Sequence, residues 1–201
     1  MRRPQRCASF PKGRRAPRGA GCEKFPSGNL LVAESPPLRF LSFMYPDSSQ
    51  DLNKETDEAI YFFTPAFYPF DNFSAHGVNI WGIKFPTAEH AFQWKKFSTT
   101  APEIAQKILE ASSPDAAKKF SDSHKEKMPK NWHEIKVKIM EEIFRAKAQQ
   151  HEDVQEKLAK TGKRTIIENS PVDSFWGIGS DGKGQNMVGK IWMKIRQDLE
   201  K

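Results

Sequence analysis

Cysteine is nearly missing from this chain: Cys7 and Cys22 are the only two in 201 residues, and both lie close to the N-terminus. The rest of the sequence is therefore without the means for a disulfide or a thiolate zinc site. No window approaches the 18 or more apolar residues of a membrane span. The N-terminus also lacks the apolar stretch of a secretory signal. The five histidines, His76, His90, His124, His133 and His151, show no metal-ligand spacing. Even the basic charge is scarce where a folded domain is expected. Residues 1–50 hold nine Lys or Arg against three acids, so they carry +6 of the net +7 and leave +1 for residues 51–201.

That distribution divides the chain. Residues 1–50 are rich in Pro, Gly and Arg without hydrophobic period, which reads as a disordered basic tail. Such a tail adds salt-dependent affinity for phosphate but specifies no function. An Arg-rich, acid-poor N-terminus also fits an organelle transit segment, although its prolines oppose the amphipathic helix that role needs. The expected setting is intracellular, cytoplasmic or nuclear, and the expected state a monomer. Residues 51–201 are long enough to bury a core as one domain. If the tail is dispensable for chemistry, deleting residues 1–50 leaves turnover of a mononucleotide substrate within a few-fold. The same deletion weakens salt-sensitive binding to long DNA. Collapse of activity on the small substrate would overturn this.

The expected fold is α+β, predominantly helical, with a small β-sheet. From Ala59 to Phe85 the chain is aromatic and β-branched, broken by Pro65, Pro69, Asn72 and Gly77, which predicts two or three short strands, with Asn79 to Phe85 as one run. Helices are predicted to open at Thr87, at Thr100 with Pro102, at Ser113-Pro114 and at Asn131. A fifth runs from about Asp153 to Thr161. Thr165-Ile-Ile-Glu168 is a short strand. A last helix runs from Met187 to Leu199 with Val188, Ile191, Trp192, Ile195 and Leu199 inward.

The richest segment is Phe85-Pro-Thr-Ala-Glu-His-Ala-Phe-Gln-Trp-Lys-Lys-Phe97. Its helix places Glu89, Phe92, Gln93 and Lys96 on one face. Carboxylate, amide, ring and amine on one stripe suit a site as well as a salt-bridged surface. Glu89 stands near the second helical position, where free amides and the dipole are expected to lower its pKa and make it a poor acid. Later, Gly177, Gly179, Gly182 and Gly184 precede a helix, a pattern that reads on its own as a flexible surface loop and also lets backbone amides approach a phosphate. Trp176 in that loop offers a stacking face. Asp173 reads equally as a proton-transfer group and as a turn cap.

Ordered motifs then resemble a known family: Phe70-Asp-Asn-Phe73, Pro86-Thr-Ala-Glu-His90 running to Lys96-Phe97, Pro114-Asp-Ala-Ala-Lys118, Trp132 with Met140, Ala146-Lys147, Thr161-Gly162, Glu168-Asn-Ser-Pro171, Asp173-Ser-Phe-Trp-Gly-Ile-Gly179 and Asn186-Met-Val-Gly-Lys190. The family is NADAR, also called YbiA-like, and the match spans roughly Ala59 to Leu199. The resemblance implies a hydrolase of N-glycosidic bonds without a metal or redox cofactor. It implies catalytic roles for Lys96, Glu89 and Asp173, with Lys96 as amine nucleophile. It also implies substrate contacts from Asn72, Phe73, Gln93, Trp132, Lys147, Trp176, Gly177, Gly179 and Asn186. The sequence departs at Ser121-Asp122, where family members usually carry Gly-Arg.

Three functions compete: removal of ADP-ribose from the amino group of guanine in nucleic acid, cleavage of ribosylamino-pyrimidine phosphates of riboflavin biosynthesis, and non-catalytic binding of ADP-ribose or NAD. The catalytic set disfavours the third, and a free-standing domain with a basic tail leans toward the first.

Overall fold

The computed structural model describes residues 52–63 and 68–199. The expectations for the basic tail and its cysteines lie outside these residues. Strands β1 (Lys54–Glu55), β2 (Ala59–Phe62) and β5 (Thr165–Glu168) form one sheet in the order β1-β2-β5. β1 pairs antiparallel with β2, and β2 pairs parallel with β5, Phe62 opposite Glu168. A parallel neighbour needs a long crossover, and nearly all the helices lie inside it: α1 (Ala88–Phe97), α2 (Pro102–Leu109), α3 (Pro114–Asp122), α4 (Trp132–Gln150) and α5 (Glu152–Lys160). Helix α6 (Met187–Leu199) follows β5 and packs against it. No helix among the described residues is long and apolar enough to cross a membrane.

The run Asn79 to Phe85 is not one strand. It folds as a hairpin of β3 (Val78–Ile80) and β4 (Ile83–Phe85) around Trp81 and Gly82, both with positive φ. Two-residue hairpin turns of this kind need left-handed backbone at both positions. Gly82 supplies one without strain, and the ring of Trp81 stacks on Trp94 at 6.1 Å.

Local signals set the helix starts to within a residue. Thr87 caps α1, its hydroxyl accepting from the His90 amide, and Ser113 caps α3 through the Ala116 amide. The cap of α2 is Ala101 rather than Thr100, and Asn131 heads α4 without a side-chain cap bond. The core gathers Phe62, Phe70, Phe85, Phe144, Ile143 and Trp192. Trp192 stacks on Phe144 at 4.7 Å while its indole donates to the Phe70 carbonyl at 2.9 Å. A second cluster of Phe97, Ile104, Ile108 and Ala117 joins α1, α2 and α3. Leu199, expected inward, is 56% exposed because α6 ends there beyond the last core layer.

Candidate functional site

A cavity of about 480 Å³ opens where one face of α1, α3, the end of β5 and the loop after it converge. The α1 stripe predicted from sequence faces it: Glu89, Phe92, Gln93 and Lys96 all line the wall. Asn72, Phe73, Asp173 and Trp176 line it as well. So a face read from helical spacing and two distant loops meet in one place.

The polar groups on α1 form a connected chain. Asn72 clamps Glu89 twice: its carbonyl accepts from the Glu89 amide at 2.9 Å, and its side-chain amide donates to Glu89 Oε2. Gln93 donates to Glu89 Oε1 at 2.6 Å. The Ser121 hydroxyl donates to Gln93 Oε1 at 2.6 Å and accepts from Lys96 Nζ at 3.3 Å. This order fixes the orientation of the Gln93 amide, because only its NH₂ donates. Ser121 and Asp122, the departure from the family pattern, thus sit beside the amine. Asp122 bonds Lys118 at 2.9 Å, which leaves Lys96 one weak acceptor.

Burial governs the electrostatics. Lys96 is 8% exposed, and burial lowers its pKa, opposed by the charges of Glu89 and Asp122 and assisted by Lys118 and Lys125. Glu89 is 2% exposed, and burial raises its pKa. The sequence expectation for Glu89 is overturned here. Removal from water outweighs both the helix terminus and the donors Gln93 and Asn72, with the Lys96 charge on their side.

Five expected contacts fall elsewhere. Trp132 is buried in the core and does not line the cavity; its ring lies 5.2 Å from that of Phe92 and backs it. Lys147 is fully buried, donating to the Asp71 carbonyl at 2.8 Å and to Ser74 Oγ at 2.6 Å. It holds the loop that carries Asn72 and Phe73. The glycine loop is not laid out as a phosphate cradle, because most of its amides are already bonded within the fold. Ile178 donates to the Glu168 carbonyl, Gly179 to Asp173, Gly184 to Ile178, Gln185 to Ser174, and Asn186 to Gly177. Gly177 is required by packing, since a Cβ there would stand 2.7 Å from the Glu168 carbonyl oxygen. Gly179 serves the turn with φ +68. Asn186 bonds β5, accepting from the Glu168 amide at 2.9 Å and donating to the Ile166 carbonyl at 2.8 Å.

Asp173 is a turn cap that also faces the cavity. It lines the cavity, and its Oδ1 caps the turn by accepting from the amides of Phe175 and Trp176 at 2.8 and 2.7 Å. Trp176 therefore takes its place from Asp173, edge-on to Phe92 with ring centres 5.5 Å apart.

Sequence reasoning missed Phe63, Asp115, Lys118, Asp122 and Glu168 on the cavity wall. Lys118–Asp122 and Lys119–Asp115 are ion pairs four residues apart, which in sequence look like any solvated helix face. Glu168 had two signals, a carboxylate closing an otherwise β-branched strand and its place at the head of the family motif Glu168-Asn-Ser-Pro171.

An α+β fold with an amine and carboxyls sealed into a nucleotide-sized cavity defines the class of site. The NADAR domain model matches residues 53–200, and the chain belongs to the NADAR family. It is 36% identical over 131 residues to an N-glycosidase of Nostoc punctiforme, covering 65% of this chain and 84% of that one. It is 31% identical over 148 residues to a riboflavin biosynthesis protein of Vibrio vulnificus, covering 72% of this chain and 39% of that one. The NMR structure of the Escherichia coli protein YbiA superposes with a TM-score of 0.65 at 30% identity, covering 75% of this chain and 90% of that one. N-glycosidase activity is thus supported at the level of the family.

Proposed function

We propose that this protein hydrolyses the bond between the ribose anomeric carbon of ADP-ribose and the amino group of guanine in ADP-ribosylated nucleic acid, through a Schiff base on Lys96. The observation that carries the reading is the buried Lys96 amine, depressed in pKa, in a cavity it shares with Glu89. A neutral amine is a nucleophile, and desolvation is what makes a lysine neutral near pH 7.

The chemistry proceeds by ring opening. The exocyclic nitrogen lone pair forms a C=N bond to the anomeric carbon as the ring C–O bond breaks, its electron pair leaving on oxygen, which takes a proton. Lys96 adds to that carbon and loses a proton. The guanine nitrogen gains a proton and departs with the pair of the old C–N bond, while the Lys96 lone pair forms the new C=N. Water then adds, and Lys96 leaves, freeing ADP-ribose. Glu89, held through both oxygens by Asn72 and Gln93, orients ribose hydroxyls and removes the proton from water. Lys118, whose pKa is raised against burial by Asp122, gives the cavity a cationic side suited to a phosphate. Water is the sole co-reactant.

A second reading, cleavage of a ribosylamino-pyrimidine phosphate, draws support from the riboflavin biosynthesis protein of Vibrio vulnificus. Incubation with ADP-ribosylated DNA, ADP-ribosylated protein and the pyrimidine intermediate separates the two. Sugar release from the DNA alone upholds the first, and release from the pyrimidine alone replaces it with the second.

Trp176 supplies the stacking face on this reading, worth about 1–3 kcal/mol per base. Trp176→Ala is expected to weaken ADP-ribose binding by roughly ten- to a hundredfold in a calorimetric titration. An unchanged affinity would remove Trp176 from the binding surface.

A further inference from the structure

Glu168 is the one cavity carboxyl with a buried oxygen left without a partner. As a residue it is partly exposed, yet its Oε2 is closed to solvent and takes no hydrogen bond, alone in this among the side-chain N and O atoms of the described residues. Unsatisfied buried oxygens are rare and call for a reason. Its position is firmly set. The amide of Glu168 donates to Asn186, its carbonyl accepts from Ile178, and the next residue bonds the Phe62 carbonyl at 2.8 Å. The residues that were read as ligand contacts in the glycine loop instead anchor this strand end.

Its neighbours contrast with those of Glu89. Glu89 receives a donor on each oxygen and has Lys96 and Lys118 as its charged neighbours. Glu168 meets three acids, Asp71, Asp173 and Glu89, and no cation acts on it, although Lys96 and Lys118 line the same cavity. Burial and these like charges hold its carboxyl protonated well above the usual carboxylate range. Burial raises both carboxyls, but the donors and cations that oppose the rise at Glu89 are not among the influences on Glu168, an asymmetry of the kind that divides acid from base.

We propose that Glu168 is the acid of this site, delivering its proton to the departing nitrogen while Glu89 serves as base. The inference rests on the N-glycosidase reading. In the step concerned, the Glu168 O–H bond breaks and an N–H bond forms on the guanine nitrogen. The anomeric C–N bond breaks with its electron pair going to that nitrogen, and the proton that Glu89 takes from the adding water returns through solvent to the Glu168 carboxylate, restoring both groups. A neutral carboxyl also offers one donor and one acceptor to a nucleobase edge.

Four measurements test it. Glu168→Gln keeps shape but has no proton to deliver, so guanine release is expected to fall about 10²- to 10⁴-fold, with ADP-ribose affinity within a few-fold. The fall of kcat/KM at high pH, where Glu168 ionises in the wild type, disappears in the variant. Glu168→Ala regains part of its rate with added formic acid. In ¹³C-glutamate-labelled protein without substrate, one side-chain carboxyl that is absent from Glu168→Gln keeps its protonated shift at pH 7. A variant within tenfold of wild type, or an ionised Glu168 at pH 7, overturns the proposal. The carboxyl shift is read without turnover, so a wild-type chain inactive on guanine sinks the functional reading while Glu168 is still judged by its own signal.

Discussion

Lys96→Ala is expected to abolish turnover while the domain stays folded, a loss on the order of a thousandfold or more, as for other enzymes stripped of a nucleophile. The side chain reaches one acceptor, Ser121 Oγ, so truncation leaves only that hydroxyl short of a bond it shares with Gln93. Lys95 is the control. It lies about 100° around the helix and rests over Trp81 at 4.6 Å, away from the Glu89 stripe. Lys95→Ala is expected within a few-fold of wild type. Borohydride added with substrate should fix a covalent adduct to Lys96, located by peptide mass. Retained activity in Lys96→Ala would make the amine a phosphate contact and hand the reaction to water attack on an oxocarbenium ion.

Stability should climb steeply with pH between about 7 and 10.5, because Lys147 is buried with a pKa lowered from 10.5 to about 7, burial being the main cause and Asp71 and Asp153 opposing it. The folded chain has released the proton above pH 7, and the unfolded chain keeps it up to 10.5. The unfolded state therefore binds more protons in this window, and each pH unit adds about 1.4 kcal/mol to folding. Lys147→Met keeps the volume, removes the titration and flattens the curve by that amount. Lys96 and Lys136 are also depressed by burial, but they titrate in both proteins and cancel in the difference. Urea melts at half-unit steps from pH 7 to 10 check this, and parallel curves would refute it. The same variant loosens the Asp71–Ser74 segment, so kcat should fall along with it through the Asn72 clamp on Glu89.

The α1 stripe was legible because everything that makes it is local. Thr87 stops the chain from starting the helix earlier, and a 3.6-residue period then puts Glu89, Gln93 and Lys96 on one side. The same logic located the other helices and β5. It failed at Trp81-Gly82, where the turn depends on a Trp accepting left-handed backbone with Trp94 beneath it. It failed again at the glycine loop. Glycines license both a ligand cradle and a tightly bonded connection, and the choice depends on which carbonyls come near.

The sequence by itself determined the helix order, the amine and carboxylate on one face, and membership of a family through its ordered motifs. Each follows from spacing along the chain or from residue identity. Only the tertiary structure decided which polar groups leave water and with whom. It set Lys147 beneath the Asn72 loop, Trp132 behind Phe92, and Glu168 at the cavity wall with an unpartnered oxygen. Protonation at a buried group depends on desolvation and on the charges of residues up to a hundred positions away, and no local pattern records those distances.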